Sequence, residues 1–225
     1  GSTSQSFVVE LGNQQITFNT LNTKTYGDPD FVVSASGGGS GNPVTFTSNN
    51  ANIATCTGTN GATIHIVGAG YCLITANQAG NSSWNAAPAV SQLLTIDKDT
   101  PTITFEDITK TYGDAPFTLS PTSGSSGAFS FESSNTAVGS ISGSTCTVEG
   151  AGTSTITVYQ EADDNYLAGS ATATLSVGKA SQTVTIDAVA DIYLADFEVN
   201  PITVTASASS GLPVALSLAN GSVAS

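Results

Sequence analysis

This chain of 225 residues has no arginine and only four lysines against 17 acidic residues, for a net charge of −13. A nucleic-acid partner needs clustered cations that displace counterions, so that class of function is excluded. An anionic membrane surface is disfavoured for the same reason. Charged residues make up only 9% of the chain. Apolar stretches are a few residues long, far short of a membrane span, and direct insertion is not expected. No sustained helical period occurs. There is one histidine, one tryptophan and no methionine. With Gly1-Ser2 reading as a cloning scar and no signal peptide, the expectation is an internal piece of a longer protein.

What fills the chain is Ser, Thr, Asn and Gly between regularly alternating apolar residues. That pattern suits strands with one solvated face. The most informative feature is a recurrence. Lys24-Thr-Tyr-Gly-Asp28 returns as Lys110-Thr-Tyr-Gly-Asp114. Ile16-Thr-Phe18 and Ile103-Thr-Phe105 precede the two copies, and Gly-Ala-Gly follows at Gly68–Gly70 and Gly150–Gly152. A third, degraded copy begins at Thr183-Val-Thr-Ile186, with Tyr193 in the tyrosine slot. A period of about 86 residues suits a self-sufficient β-sandwich rather than a solenoid unit.

The expected organisation is therefore a scar and the last strand of a preceding repeat over 1–13, repeat one over 14–98, repeat two over 101–179, and a truncated repeat three over 182–225. In the third, Val184, Ile186, Ile202, Val204 and Leu216 alternate inward but lack covering strands. Joints at 97–101 and 178–181 are short, so neighbouring repeats should touch. The fold class is all-β: tandem immunoglobulin-like antiparallel sandwiches in an elongated array.

The combination of Thr-Tyr-Gly-Asp, Pro43-Val-Thr-Phe-Thr-Ser-Asn49, Val67-Gly-Ala-Gly70 and Ala76-Asn-Gln-Ala-Gly-Asn81 with Trp84 resembles the glycine-rich, "MBG" type of bacterial Ig-like repeat. Such repeats are arrayed in very large surface proteins, often of Bacteroidota. The resemblance implies a β-sandwich, extracellular exposure and a role as stalk or adhesive repeat, including in surface attachment and gliding. It implies no catalytic residues and no cofactor. In the third copy Asp191-Ile-Tyr-Leu-Ala195 replaces the Lys-Thr-Tyr-Gly-Asp string.

His65 stands between inward Ile64 and Ile66 and should face out, which leaves no Ser-His-Asp triad. Tyr26 and Tyr112 read as corner tyrosines bonded to backbone, with sugar stacking as the alternative. Trp84 and Tyr166 occupy matching loop positions, either as anchors beneath the loop or as ligand-facing aromatics. Glu161, Asp163, Asp164 and Asn165 form the densest acidic cluster, a solvated loop or a weak calcium candidate. Lys24 and Lys110 raise an intramolecular isopeptide bond, which Asp191 in the third copy argues against. Cys56 and Cys72 are expected to form a disulfide. Repeat two lacks both together, with Ile141 and Ser154 in their places, while Cys146 replaces Ile64 as a buried thiol. Two separate thiols are the alternative, and a bridge would favour an exported protein.

These readings converge on a non-catalytic stalk or adhesive segment at the bacterial cell surface, outside the cell. Its partners would be neighbouring repeats, surface glycans or other cells. The alternative is an array of carbohydrate-binding modules accessory to a secreted enzyme.

Overall fold

Alternation becomes strand wherever it is sustained. The structure, a computed structural model, describes residues 8–188 and 203–217. The first repeat contains β1 (Lys24–Thr25), β2 (Phe31–Val32), β3 (Val44–Ser48), β4 (Ala54–Thr57), β5 (Thr63–Ile66), β6 (Gly70–Gln78) and β7 (Val90–Asp97). These form two sheets, ordered β1-β7-β6-β3 and β2-β5-β4. The second repeat contains β8 (Ile103–Thr104), β9 (Ile108–Thr111), β10 (Phe117–Thr118), β11 (Thr122–Ser123), β12 (Phe129–Ser133), β13 (Gly139–Ser142), β14 (Thr145–Val148), β15 (Gly152–Gln160) and β16 (Gly169–Gly178). Its sheets, β9-β16-β15-β12 and β10-β14-β13, reproduce the first pair, with β8 and β11 forming a short ribbon beside them. One 3-10 turn at Thr59–Gly61 is the only helical element among the described residues.

The period of two decides which side chains enter the core. On β6, Cys72, Ile74 and Ala76 are buried while Tyr71 and Leu73 face solvent. The first core centres on Ile64, Ile74, Leu94 and Ile96, and the second on Cys146, Ile156, Leu175 and Val177. Full burial of each aliphatic side chain contributes about 1.5–3 kcal/mol. The chain is all-β, built of tandem Ig-like sandwiches.

One pairing departs from the antiparallel expectation. β1 runs parallel to β7, with Lys24 beside Ile96, and β9 runs parallel to β16, with Lys110 beside Val177. Thr17 forms an antiparallel bridge with Ser36, so the chain starts in the other layer and crosses before Lys24. A strand that arrives by such a crossing meets the last strand of its repeat head to head, hence in parallel.

The third segment has a single antiparallel pair, β17 (Val184–Ile186) with β18 (Ala206–Ala208). Its register, Thr185 opposite Ser207, repeats Thr104 opposite Thr122 and Thr17 opposite Ser36. Among the described residues no second layer covers this pair, and Val184, Ile186, Val204 and Leu216 are exposed. Ile202, Tyr193 and the 191–195 string lie outside the described residues. At the other end, residues 8–11 form no strand, with Val8 and Val9 86% exposed. Residues 1–7 of that expected strand lie outside the described residues.

Candidate functional site

The recurring string makes the same turn twice. Asp28 N–H donates to Thr25 O (3.0 Å) and Asp114 N–H to Thr111 O (3.0 Å). Between them Gly27 and Gly113 have φ of 88° and 94°, the third position of a type II turn, where a Cβ is disfavoured. Each aspartate then closes its own turn, accepting from Thr25 N–H (3.0 Å) and Thr111 N–H (2.9 Å). The lysines lie over phenylalanine rings. Lys24 Nζ is 4.9 Å from the Phe31 centroid, and Lys110 Nζ is 4.6 Å from that of Phe117. These cation–π contacts give the lysines a packing role, and the isopeptide reading goes no further. The motif's own Lys-Thr pair makes β1 and ends β9.

Tyr26 has a contact beyond its own repeat. Tyr26 meets Tyr166 of the next repeat edge to face, with centroids 5.4 Å apart and planes at 82°. It packs against the edge of the first core and is covered as well by the next repeat. Around this contact the joint is hydrogen-bonded. Ala69 N–H, in the Gly-Ala-Gly turn, donates to Asn165 Oδ1 (2.9 Å). Asp99 N–H donates to Asn165 O (3.0 Å), and Leu167 N–H donates to Asp99 O (2.8 Å). Lys98 Nζ donates to Asp163 O. The connection and the loop of the second repeat thus form a one-residue parallel bridge, Asp99 with Tyr166. Gly12 and Trp84 make the same bridge at the start of the first repeat.

Asp163 organises that loop. Its Oδ1 accepts from the N–H groups of Asn165 and Tyr166, each at 2.8 Å. Its Oδ2 accepts from Ser126 N–H (2.7 Å) and from the Ser125 and Ser126 hydroxyls. The Ser126 N–H foremost, with the Asn165 and Tyr166 N–H groups, holds the carboxyl well below the ordinary carboxylate range. Asn81 does the same work in the first repeat, capping Ser83 and Trp84 N–H at 2.9 and 3.0 Å. The oxygens of Asp163 and Asn165 are therefore engaged by the chain itself, while Glu161 and Asp164 are exposed. The geometry offers no convergence of these four on a calcium ion, and the loop is a capped turn.

Trp84 and Tyr166 are both half-buried. The indole is packed by the backbone of Gly12 and Gly39, so close that a Cβ at either would fall within 2.9 and 2.3 Å of it. Among the described residues, the aromatic side chains Tyr71 and Tyr112 stand further into solvent, 74% and 53% exposed. Tyr71 was legible in principle, since it alternates with inward Cys72. His65 does face out, and its Nδ1 lies 2.7 Å from Asp30 Oδ1.

The expected disulfide is absent: Cys56, Cys72 and Cys146 are all free thiols. Cys56 is on β4 and Cys72 on β6, in facing sheets. The two sulfurs stay separate, each filling its own core position. Burial pushes all three thiols up, with the neighbouring Cys72 adding to the effect on Cys56.

No family model matches the chain, and no curated protein matches it. Among solved structures it is similar to repeats EC1-3 of Drosophila N-cadherin, 9% identical over 74% of this chain and 68% of that one, with a TM-score of 0.31. It is similar to domains 1-6 of the surface layer protein SbsC, 11% identical over 76% of this chain and 29% of that one, TM-score 0.32. A SusE-like surface-located polysaccharide-binding protein from Bacteroides thetaiotaomicron aligns at 11% identity over 73% of this chain and 34% of that one, TM-score 0.29. At such scores the fold assignment rests on the strands and sheets described above.

Proposed function

We propose that this chain is a non-catalytic stalk and adhesive repeat segment of a large bacterial cell-surface adhesin, working outside the cell. The observation that carries the reading is the joint. Two complete sandwiches are fastened end to end by Tyr26 on Tyr166 and Ala69 N–H on Asn165. A fastened series holds its distal end at a distance, which suits spacing and multivalent display. The acidic balance and the scarcity of lysine support glycans or other cells, rather than nucleic acid, as what the array meets. No catalytic step is assigned. The single histidine pairs with Asp30 at the surface.

Small-angle scattering tests the spacing role. A compact body of this length has a radius of gyration of roughly 17 Å. The stalk reading expects a clearly larger value, and a value near 17 Å would overturn it. The exposure of Tyr71 beside Leu73 and Leu93 favours one second reading, an array of carbohydrate-binding modules of a secreted enzyme. A glycan-array screen tests the Tyr71 face: reproducible hits lost on Tyr71→Ala would support binding through it, and hits kept on Tyr71→Ala would sink the module reading.

A further inference from the structure

The second repeat carries a docking end that matches the one already filled in the first. In the filled joint, Asn165 and Tyr166 lie against Tyr26, Ala69, Asp99 and Gly124, with the Tyr166 hydroxyl beside Gly124. Strand register carries each of these positions forward. Tyr26 N–H donates to Asp97 O and Tyr112 N–H to Gly178 O, which aligns Asp99 with Ala180. The two Gly-Ala-Gly turns align Ala69 with Ala151. The pairings Thr104–Thr122 and Thr185–Ser207 align Gly124 with Ser209. Tyr112, Ala151, Ala180 and Ser209 line one groove of about 580 Å³ between the second repeat and the third segment.

The contrast between the two ends fits an open counterpart. Tyr26 is half-buried and Tyr112 is 53% exposed; Gly68 and Ala69 are more covered than Gly150 and Ala151. The Ala69 N–H is bonded to Asn165, and the Ala151 N–H has no hydrogen bond among the described residues.

We infer that the groove between Tyr112, Ala151, Ala180 and Ser209 is a docking site for the Asn-aromatic-aliphatic loop of an Ig-like repeat, of the kind residues 165–167 supply. The loop's asparagine accepts from Ala151 N–H. Its backbone makes a one-residue parallel bridge with Ala180, and its aromatic ring stands edge-on to Tyr112. Recognition is by strand addition plus one capped amide and one ring, which are features of a segment and not of a particular protein. The inference concerns how repeats engage one another and is independent of what the array attaches to.

The test uses the full chain, labelled with 15N, and the peptide Glu-Ala-Asp-Asp-Asn-Tyr-Leu, copied from residues 161–167. In one arm the free peptide is titrated to millimolar concentration. In the other it is joined to the carboxyl end through a flexible Gly/Ser linker, which holds its local concentration near millimolar. The amides of Ala151 and Ala180 are expected to shift in the tethered arm, while those of Ala69 and Asp99, already engaged, stay in place. A peptide with Ala for both Asn and Tyr should lose these shifts, as should Tyr112→Ala with the parent peptide. Silence at Ala151 in both arms, or equal shifts with the alanine peptide, would overturn the inference.

Discussion

The strand pairs β4/β5 and β13/β14 hold the same two kinds of side chain in opposite order. In the first repeat Cys56 stands opposite Ile64, and in the second Ile141 stands opposite Cys146. Each sandwich keeps one small sulfur and one branched aliphatic at this place, so total volume is nearly conserved although neither position is. Cys72 has a separate counterpart. It accompanies Ser48 in the first repeat, and Ser154 accompanies Ser133 in the second at 2.9 Å. The joint disappearance of Cys56 and Cys72 from the second repeat is thus two local exchanges and not the loss of a bridge. Core volume is matched across a strand pair, residue by residue only where the pair leaves no freedom.

The largest effect expected from this comparison comes from emptying one core at a time. Leu94 and Leu175 are equivalent and fully buried. Leu94→Ala or Leu175→Ala should each cost about 2–5 kcal/mol. Trp84 is the only tryptophan, so its fluorescence reports the first repeat alone. Leu94→Ala should move the fluorescence transition in urea to lower concentration. Leu175→Ala should leave that transition nearly in place while an earlier one appears in circular dichroism. Equal movement of both signals in both variants would show the two sandwiches unfolding as one unit.

The exchange itself can be remade. Ile64→Cys in the first repeat opens a cavity beside Cys56, with an expected cost of roughly 2 kcal/mol. Adding Cys56→Ile imposes the arrangement of the second repeat and should bring the net loss below about 1.5 kcal/mol. Failure of the double variant to recover would mean that the surroundings, not the pair, set the order. A thiol count on denatured, unreduced wild-type protein should find three, and one free thiol would restore the bridge.

Much of this fold was legible because alternation and recurrence are local signals. Runs such as Thr63–Ile66 and Phe129–Phe131 became strand, whereas Ile16–Phe18 makes only a bridge at Thr17 and residues 8–11 form no strand; the inward faces of β5 and β6 are those the pattern named. The joint was less legible. Tyr26 beside a turn reads like a core anchor and does pack on the first core, but a sequence does not say which element of another repeat will also cover it. Asp163 in a cluster of acids reads like part of a solvated loop or a weak calcium candidate, because the Ser126 N–H that it accepts from is distant in sequence. The disulfide failed for a related reason. Two cysteines missing together look like a pair until the register shows what replaced each one.

The joint offers a smaller effect. Asn165→Ala removes one hydrogen bond, with a net contribution of about 1 kcal/mol. Tyr166→Ala removes an aromatic contact of about 0.5–1.5 kcal/mol beyond its buried area. Neither touches a core, so both sandwiches should keep their separate stabilities. The expected change is in coupling: relaxation rates of amides in the two repeats should diverge as the bodies tumble more independently. Tyr112→Ala, at the equivalent position of the second repeat, should leave those rates unchanged. If it loosened the first joint as much as Tyr166→Ala, the contacts named here would not be what fastens the repeats.

The smallest expected effect separates the two loops by pH. Asp163 has a carboxyl depressed in the folded chain below its ordinary value of 3.8. A depressed carboxylate contributes stability that is fully present above the unfolded value. That stability is lost as pH falls through the folded one. Above about pH 5 nothing should change, since the group is ionised in both states. Below the ordinary value protonation opposes folding of this loop, because Oδ2 loses capacity to accept from Ser126 N–H and the two hydroxyls. Asn81 carries no such titration in the matching loop. Amide exchange at Asn165 and Tyr166 should therefore accelerate on acidification beyond the intrinsic pH trend, while exchange at Ser83 and Trp84 follows that trend alone. Asp163→Asn should remove the difference and leave the two loops alike in their response to acid. Parallel acceleration of both loops in the wild type would show that Asp163 does not govern its own turn.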